Sequence, residues 1–303
     1  MDLSVVVPTL NGRERLAASL DSLAARAPDA EVVVVNGPSA DGTTGMVRDR
    51  DDVDVLVEIA ARNVNVARNA GVEVAAGDAV AFLGYDYRVE DGWFEAAADA
   101  LDGGAAVVAG PLRESVRGGA TSDDRESRRI ADREVTYFSG RNVVIDRRTL
   151  DALDGFDEYL ETGGARDAAH RLAGMGVDVE WRGELSVRRR AEATDGGVET
   201  RDLGWKYRAL AYRLVKNYGL RPTVVRRTLR HAVGDAVGAF RDVLGGEATP
   251  SSWAGNGRDV VRGISGGTSD GLVARTRDRS PKRNPNGISA RADRAVARYD
   301  RRE

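Results

Sequence analysis

Asp86 is the residue best placed to do chemistry. It follows a short apolar run, residues 79–83, that is too short for a helix and reads as a buried strand. A polar stretch carrying Arg62, Arg68 and Asn69 leads into that run through the Gly77-Asp78 turn. Ligands of open α/β sheets sit beyond the carboxyl ends of the strands. A lone carboxylate there could hold a hard cation against a diphosphate. Asp167 and His170 form a second group, three residues apart on one expected helical face. Asp167 falls in the first turn of that helix, where the helix dipole favours an ionised carboxylate. The chain has no cysteine and two histidines, which excludes a disulfide framework, a thiolate zinc site and a cysteine nucleophile. Any metal must therefore be held mainly by oxygen.

These side chains need a scaffold, and the hydrophobic pattern supplies one. Residues 3–7 are an apolar, valine-rich run stopped by Pro8. A loop through Gly12 follows, then a helix over 13–27 with Leu16, Leu20 and Leu23 on one face. Strand, turn and helix repeat over 31–50, a third strand covers 53–59, and a short helix covers 66–76. Such alternation predicts an α/β fold with a mostly parallel sheet and right-handed crossovers. A helix over 93–101 and a strand over 105–110 continue it, and the charged stretch 113–133 reads as a loop or an exposed helix. A second block gives a strand at 143–146, a helix at 147–153, a helix at 166–175 and a strand at 177–181. From residue 203 the pattern changes to basic amphipathic helices over 205–218 and 223–244, separated by Pro222. The Gly-, Ser-, Asn- and Arg-rich tail is expected to be poorly packed, or ordered only on a surface, over its last forty or so residues. The division is thus a domain over 1–200 and a basic helical extension with a flexible tail over 201–303.

The net charge of −3 hides a split. Residues 1–180 carry 19 Lys/Arg against 34 Asp/Glu, and residues 181–303 carry 26 against 14. An acidic front and a basic rear meet different partners. With neither a zinc-finger nor an RNA-binding signature, no nucleic-acid partner is expected. Aromatics and cations alternate from Trp205 to Tyr218, and Arg226, Arg227, Arg230 and Arg241 extend the charge. This suits a peripheral contact with anionic headgroups through 205–244; two helices packed with a solvated basic face are the other reading. No apolar run approaches the roughly 18 residues of a membrane span, and the start lacks a secretory pattern. The expected location is cytoplasmic, at the inner face of the cell membrane.

The first strand is followed by PTLNGRERL rather than G-x-G-x-x-G, so a nicotinamide-binding domain is not expected. In order, the chain instead carries VVVPTLNGRERLAASLDSL, VVVVNGPSADGTTGMV, NVARNAGVEVAAGDAVAFLGYD and SGRNVVIDRRTLDALDGFDE, then an Asp-bearing helix start. This series resembles family 2 glycosyltransferases of the GT-A fold over about residues 2–182. The resemblance implies inverting transfer from a nucleoside-diphosphate sugar with Mg2+ or Mn2+. It puts Asp86 at the last acid of the family's Asp-x-Asp, with Gly84 where the first acid usually stands. It implies nucleotide contacts at Pro8, Thr9, Asn11 and Glu14, at Asn36 and Asp41, and at Arg62 and Arg68, and acceptor contacts at Ser139, Gly140 and Asn142. The family's usual Glu-Asp pair falls on Gly164-Ala165, so Asp167 is the expected base and His170 the next candidate. The basic rear points to a glycan or polyprenyl-type lipid acceptor. A catalytically weakened homologue that binds nucleotide sugars or scaffolds a glycan-assembly complex is the alternative.

Overall fold

The computed structural model describes residues 2–116, 119–122, 125–190, 203–224 and 250–302, with 226, 228, 230 and 234 as isolated positions. One compact unit comprises Met1–Arg128, Val135–Asp195 and Asn286–Glu303, and a second comprises Arg129–Glu134 and Gly196–Pro285.

The first unit begins β1 (Leu3–Thr9), α1 (Arg13–Arg26), β2 (Glu31–Asn36), α2 (Thr43–Arg48), β3 (Val55–Ile59), α3 (Val64–Val74) and β4 (Ala79–Leu83). β1 lies between β2 and β4, β3 flanks β2, and all four run parallel. Every residue of β1 and β4 is buried, which is why both read as continuous apolar runs instead of alternating. Leu16, Leu20 and Leu23 of α1 share one core cluster with Val5, Val7, Val32 and Val34. On the opposite face Gly71 lets α3 close onto β1, since a Cβ there would lie 2.3 Å from Val6 Cγ1. Pro8 does not stop the strand. It pairs in register with Val35 but lies past the last β1–β4 pair, Val6 with Phe82, so β1 has no partner on that side for its missing N–H to deprive.

The chain continues through β5 (Arg88–Val89), α4 (Trp93–Asp102), β6 (Val107–Ala109), β7 (Leu112–Val116), β8 (Gly119–Ser122), β9 (Glu126–Ile130), β10 (Arg133–Tyr137) and β11 (Asn142–Asp146). α5 (Arg147–Leu153), α6 (Gly164–Met175), β12 (Glu180–Trp181) and β13 (Val187–Arg190) follow. Antiparallel β11 joins β4 to β6, and the main sheet runs β12-β6-β11-β4-β1-β2-β3 before a final edge strand, β14 (Ala295–Asp300). The charged stretch 113–133 is therefore largely strand, not loop or helix. β7 pairs with β8 and β13, and ion pairs from Arg113 to Glu90 and from Arg189 to Glu114 compensate its charges.

The tail also departs from expectation. β14 pairs antiparallel with β3, and the segment leading to it is anchored by Arg294, whose side chain is fully buried. That guanidinium donates to Glu158 and Glu73 and to the carbonyls of Gly287 and Ile288. Composition shows a Gly- and Arg-rich segment but cannot show the acceptors waiting for it.

In the second unit α7 (Leu203–Tyr218) packs on α8 (Pro250–Arg277). Gly263, Gly267 and Gly271, four residues apart, face the carbonyl oxygens of Gly204, Arg208 and Tyr212, where a Cβ would stand 2.2, 2.1 and 2.8 Å away. The backbones thus approach more closely than any side chain permits. Tyr207, Ala211, Tyr212, Leu214 and Val215 are buried, as is Lys216, whose ammonium lies 5.2 Å from the Tyr212 ring centre. The apolar positions expected to meet headgroups are taken up inside this unit, leaving Lys206 and Arg208 exposed. Arg227 and Arg241 lie outside the described residues. Among the described residues no helix is long and apolar enough to cross a membrane.

Candidate functional site

The loops after β1 and β2 are stapled together. Asn11, in the left-handed region at φ 50°, donates its N–H to Ser39 Oγ at 2.8 Å and accepts the Ala40 N–H at 2.8 Å. The Arg13 N–H reaches Asp41 at 3.0 Å. Ser39 donates to Asn36, Asn36 to Thr44, and Thr44 to Glu58, each within 2.9 Å, so the amide at the end of β2 anchors the whole turn. The hydroxyl of Thr43 leads the groups that hold the Asp41 carboxyl below the usual carboxylate range, against the opposing effect of burial. Pro8, Thr9 and Asn36 are buried, whereas Asn11, Glu14 and Asp41 face solvent. Of the nucleotide residues expected from sequence, this arrangement brings Pro8, Thr9, Asn11, Asn36 and Asp41 together; Glu14 lies exposed in the first turn of α1.

The turn after β4 completes this end of the sheet. Tyr85 packs on Gly12, where a Cβ would stand 2.4 Å from its ring, so the glycine admits the tyrosine. The Gly84 N–H donates to the Arg141 carbonyl at 3.0 Å, and Tyr87 donates to the Gly84 carbonyl at 2.9 Å. Asp86 accepts from Arg189 at 3.2 Å, and the same guanidinium meets Glu114 at 2.7 Å. Burial pushes the Tyr87 phenol up, while the nearby cations Arg141 and Arg189 pull against it.

Arg68 lies beneath this turn. It donates to Asn65 and to the Gly140 carbonyl, both at 2.9 Å, and its guanidinium stands 5.0 Å from the Phe156 ring centre. Burial, together with the charge of Arg141, pulls its pKa down to about 10. Two buried polar atoms here, Thr9 Oγ1 and Arg68 Nε, have no hydrogen-bond partner among the described residues. Arg62 is exposed ahead of α3, away from this buried shell.

The expected base positions are sealed. Asp167 and Arg171 pair at 2.8 Å with both side chains fully buried. Arg171 also donates to the carbonyls of Leu153 and Gly155, which ties α6 to the turn after α5. His170 is buried against Tyr137, with ring centres 5.4 Å apart. Neither side chain presents an open face to an acceptor. Asn142 is likewise internal, accepting from Trp93 and donating to the Leu185 carbonyl. The i,i+4 spacing of Asp167 and Arg171 was the signal for this pair in the sequence. Arg141, Arg189 and Tyr85 went unnoticed. Nothing in the Val187-Arg188-Arg189-Arg190 run singles out Arg189, because three adjacent arginines carry no alternation to say which face each one takes.

Two of the positions where the resemblance would put an acid, Gly164 and Gly84, are closed by packing. A Cβ on Gly164 would lie 2.3 Å from Asn65 Oδ1, and one on Gly84 would lie 2.9 Å from the Tyr87 ring and 3.1 Å from Arg141 Cβ. Among the described residues no three acids or histidines converge on a point, and the carboxylate of Asp86 already carries a guanidinium. One carboxylate can hold a divalent cation together with a diphosphate and water, but here that carboxylate already carries Arg189, whose charge would repel the ion, so these residues do not fit one.

The family description "Glycosyl transferase family 2" matches residues 4–157. Glycosyltransferase AglE of Haloferax volcanii is 27% identical over 197 residues, covering 56% of this chain and 63% of that protein. The pre-mycofactocin glycosyltransferase of Mycobacterium tuberculosis is 27% identical over 202 residues, covering 59% and 41%. The chain thus spans less than two thirds of the length of these relatives. Among solved structures, the mannosyltransferase PcManGT from Pyrobaculum calidifontis, in complex with GDP-Man and Mn2+, superposes with a TM-score of 0.57 at 17% identity, covering 92% of this chain and 88% of that one. S. aureus TarS 1-349 in complex with UDP gives 0.59 at 16%, covering 92% of each. The shared sheet is the GT-A fold. Since the family description spans just over half of the chain and takes in β1 through α5, the chain belongs to glycosyl transferase family 2.

Proposed function

We propose that the first unit binds a nucleoside-diphosphate sugar and transfers the sugar, with inversion, to a glycan acceptor on a polyprenyl-type lipid. The observation that carries this reading is the junction of the stapled β1 and β2 loops with the 84–87 turn. Gly12 receives Tyr85 there, and Thr9 Oγ1 and Arg68 Nε are left unmet nearby. Polar loops suit a nucleoside, and the cations Arg141, just before β11, and Arg189, in β13, whose charges both act on Tyr87 of the adjoining turn, suit its diphosphate. The relatives are named glycosyltransferases, and the two superposed structures hold GDP-Man with Mn2+ and UDP.

A second reading, a homologue that binds a nucleotide sugar without turning it over, is favoured by the sealed Asp167–Arg171 pair. One experiment separates the two: a thermal-shift screen of UDP- and GDP-sugars with and without Mn2+, with donor hydrolysis followed on the same samples. Ligand that binds only the folded chain raises the melting point, by about 2.7 kcal/mol of stability at one hundred times Kd. Stabilisation with turnover supports transfer, stabilisation alone supports the second reading, and no stabilisation by any donor removes both. For the lipid acceptor, we assign membrane contact to the exposed charges Lys206, Arg226 and Arg230, because the apolar face of α7 is internal. Co-sedimentation with anionic liposomes at low salt that disappears at high salt is expected. Equal sedimentation with neutral liposomes removes the assignment.

A further inference from the structure

We infer that Arg189, in place of a divalent cation, supplies the positive charge that meets the donor's diphosphate beside Asp86. The inference rests on the donor-binding reading above and deepens it.

Asp86 and Glu114 hold one guanidinium between them, at 3.2 and 2.7 Å, and reach it from different elements, the turn after β4 and strand β7. A divalent ion on Asp86 would have a single protein carboxylate and a guanidinium as its neighbour, so charge repulsion would oppose it at the point of contact. The place for a second acid is closed by Tyr87 and Arg141 around Gly84. Two further cations complete the picture. Arg141 is exposed and follows the Gly140 carbonyl that Arg68 holds, and the charges of Arg141 and Arg189 both act on the Tyr87 phenol. The Arg189 side chain is 24% exposed, so a ligand can approach it.

A guanidinium is chemically suited to the task. Its planar fork donates two parallel hydrogen bonds to phosphate oxygens and stays charged at any working pH. Asp86 then becomes a positioning residue, one that aims Arg189 at the turn where the Asp-x-Asp acids of the family would otherwise hold metal.

The test uses the full chain and two readouts. Mn2+ binding to the protein alone is followed by electron paramagnetic resonance, and UDP, GDP, uridine and guanosine are titrated calorimetrically in EDTA and in Mn2+. The diphosphate that binds is expected to do so in EDTA within about twofold of its affinity in Mn2+. Arg189→Gln, with its fold verified by circular dichroism, should weaken that diphosphate about tenfold or more, leave the matching nucleoside unchanged, and be partly rescued by Arg189→Lys. Stoichiometric Mn2+ lost in Asp86→Asn, or a diphosphate affinity that rises more than about tenfold with Mn2+, overturns the inference. A nucleoside that binds while its diphosphate gains nothing from Arg189 overturns it while leaving the binding site standing. Absence of binding by every nucleotide and nucleoside removes the donor-binding reading and this inference with it.

Discussion

Asp86 and Asp167 are both carboxylates held by an arginine, yet the two pairs sit in different surroundings. The side chains of Asp167 and Arg171 are fully buried, whereas Asp86 meets an Arg189 that is 24% exposed and shared with Glu114. A sealed pair has given up its water to both partners, so it works only while both are present. An open pair keeps part of its hydration, and a phosphate can compete for the guanidinium. Similar chemistry therefore supports the fold at one place and is available to a ligand at the other.

The sharpest break in this comparison is Asp167→Ala. It leaves Arg171 charged, buried and short of a partner, and removal of one member of a buried pair costs about 3–5 kcal/mol. Urea unfolding followed by circular dichroism should show that loss. The double change Asp167→Leu with Arg171→Met should recover the part due to the stranded charge, though not the hydrogen bonds that Arg171 gives to the carbonyls of Leu153 and Gly155. A single mutant of unchanged stability would mean that water reaches this pair.

Arg294→Ala comes next. Glu158 and Glu73 are 10% and 26% exposed, so their charges can rehydrate, and about 2–3 kcal/mol is the expected loss from the hydrogen bonds to charged groups. The consequence should be local. Limited proteolysis is expected to release β14 before the rest of the first unit opens, and simultaneous digestion would show that this strand is no separate strap.

Alanine at the two glycines that replace family acids sharpens the contrast further. Gly164→Ala pushes on Asn65, which is fixed by the Leu160 carbonyl at 2.5 Å and by Arg68, and about 1–3 kcal/mol of overpacking is expected. Gly84→Ala meets the buried Tyr87 ring at 2.9 Å and Arg141 Cβ at 3.1 Å, longer approaches than the 2.3 Å at Gly164, and should cost less than Gly164→Ala. Matched thermal melts of the two variants check the order, and a reversed order would place the rigid wall at the wrong end.

How far the sequence shows all this depends on what each feature needs. The parallel strands and the position of Asp86 were legible because runs such as Val32 to Val35 and Ala79 to Leu83 fix buried strands by local pattern. The role of Asp167 was not, since the helix-dipole argument counts a charge at a helix start and ignores the arginine one turn later. Arg294 and β14 were hidden for a different reason. Their partners, Glu158, Glu73 and the edge of β3, lie more than a hundred residues away in the chain, and a polar edge strand carries no periodic signal. Arg189 was lost among neighbouring arginines, where only the sheet decides which one turns toward Asp86.

The smallest effect distinguishes open from sealed by the sign of a pH dependence. Asp41, on the open loop, is held below the usual carboxylate range, with the Thr43 hydroxyl as the largest cause. Its contribution is complete above the ordinary aspartate pKa of about 3.9 and is lost only as pH falls through the lowered value. Glu73, beside the buried Arg294, is instead pushed up by burial, which outweighs the attraction of that guanidinium. The folded chain then binds a proton on Glu73 before the unfolded chain does, so its contribution to stability grows as pH falls toward the ordinary glutamate pKa of about 4.3. The unfolding free energy of Asp41→Asn, compared with the parent chain, should therefore differ by a constant amount from pH 7 to 5 and converge only in stronger acid. That of Glu73→Gln should change relative to the parent within the range above pH 4.3, the parent gaining as pH falls. Parallel curves for both variants would mean that water screens Glu73 as well as it screens Asp41, and the division between sealed and open charges would then begin at Arg294 itself, not at its carboxylates.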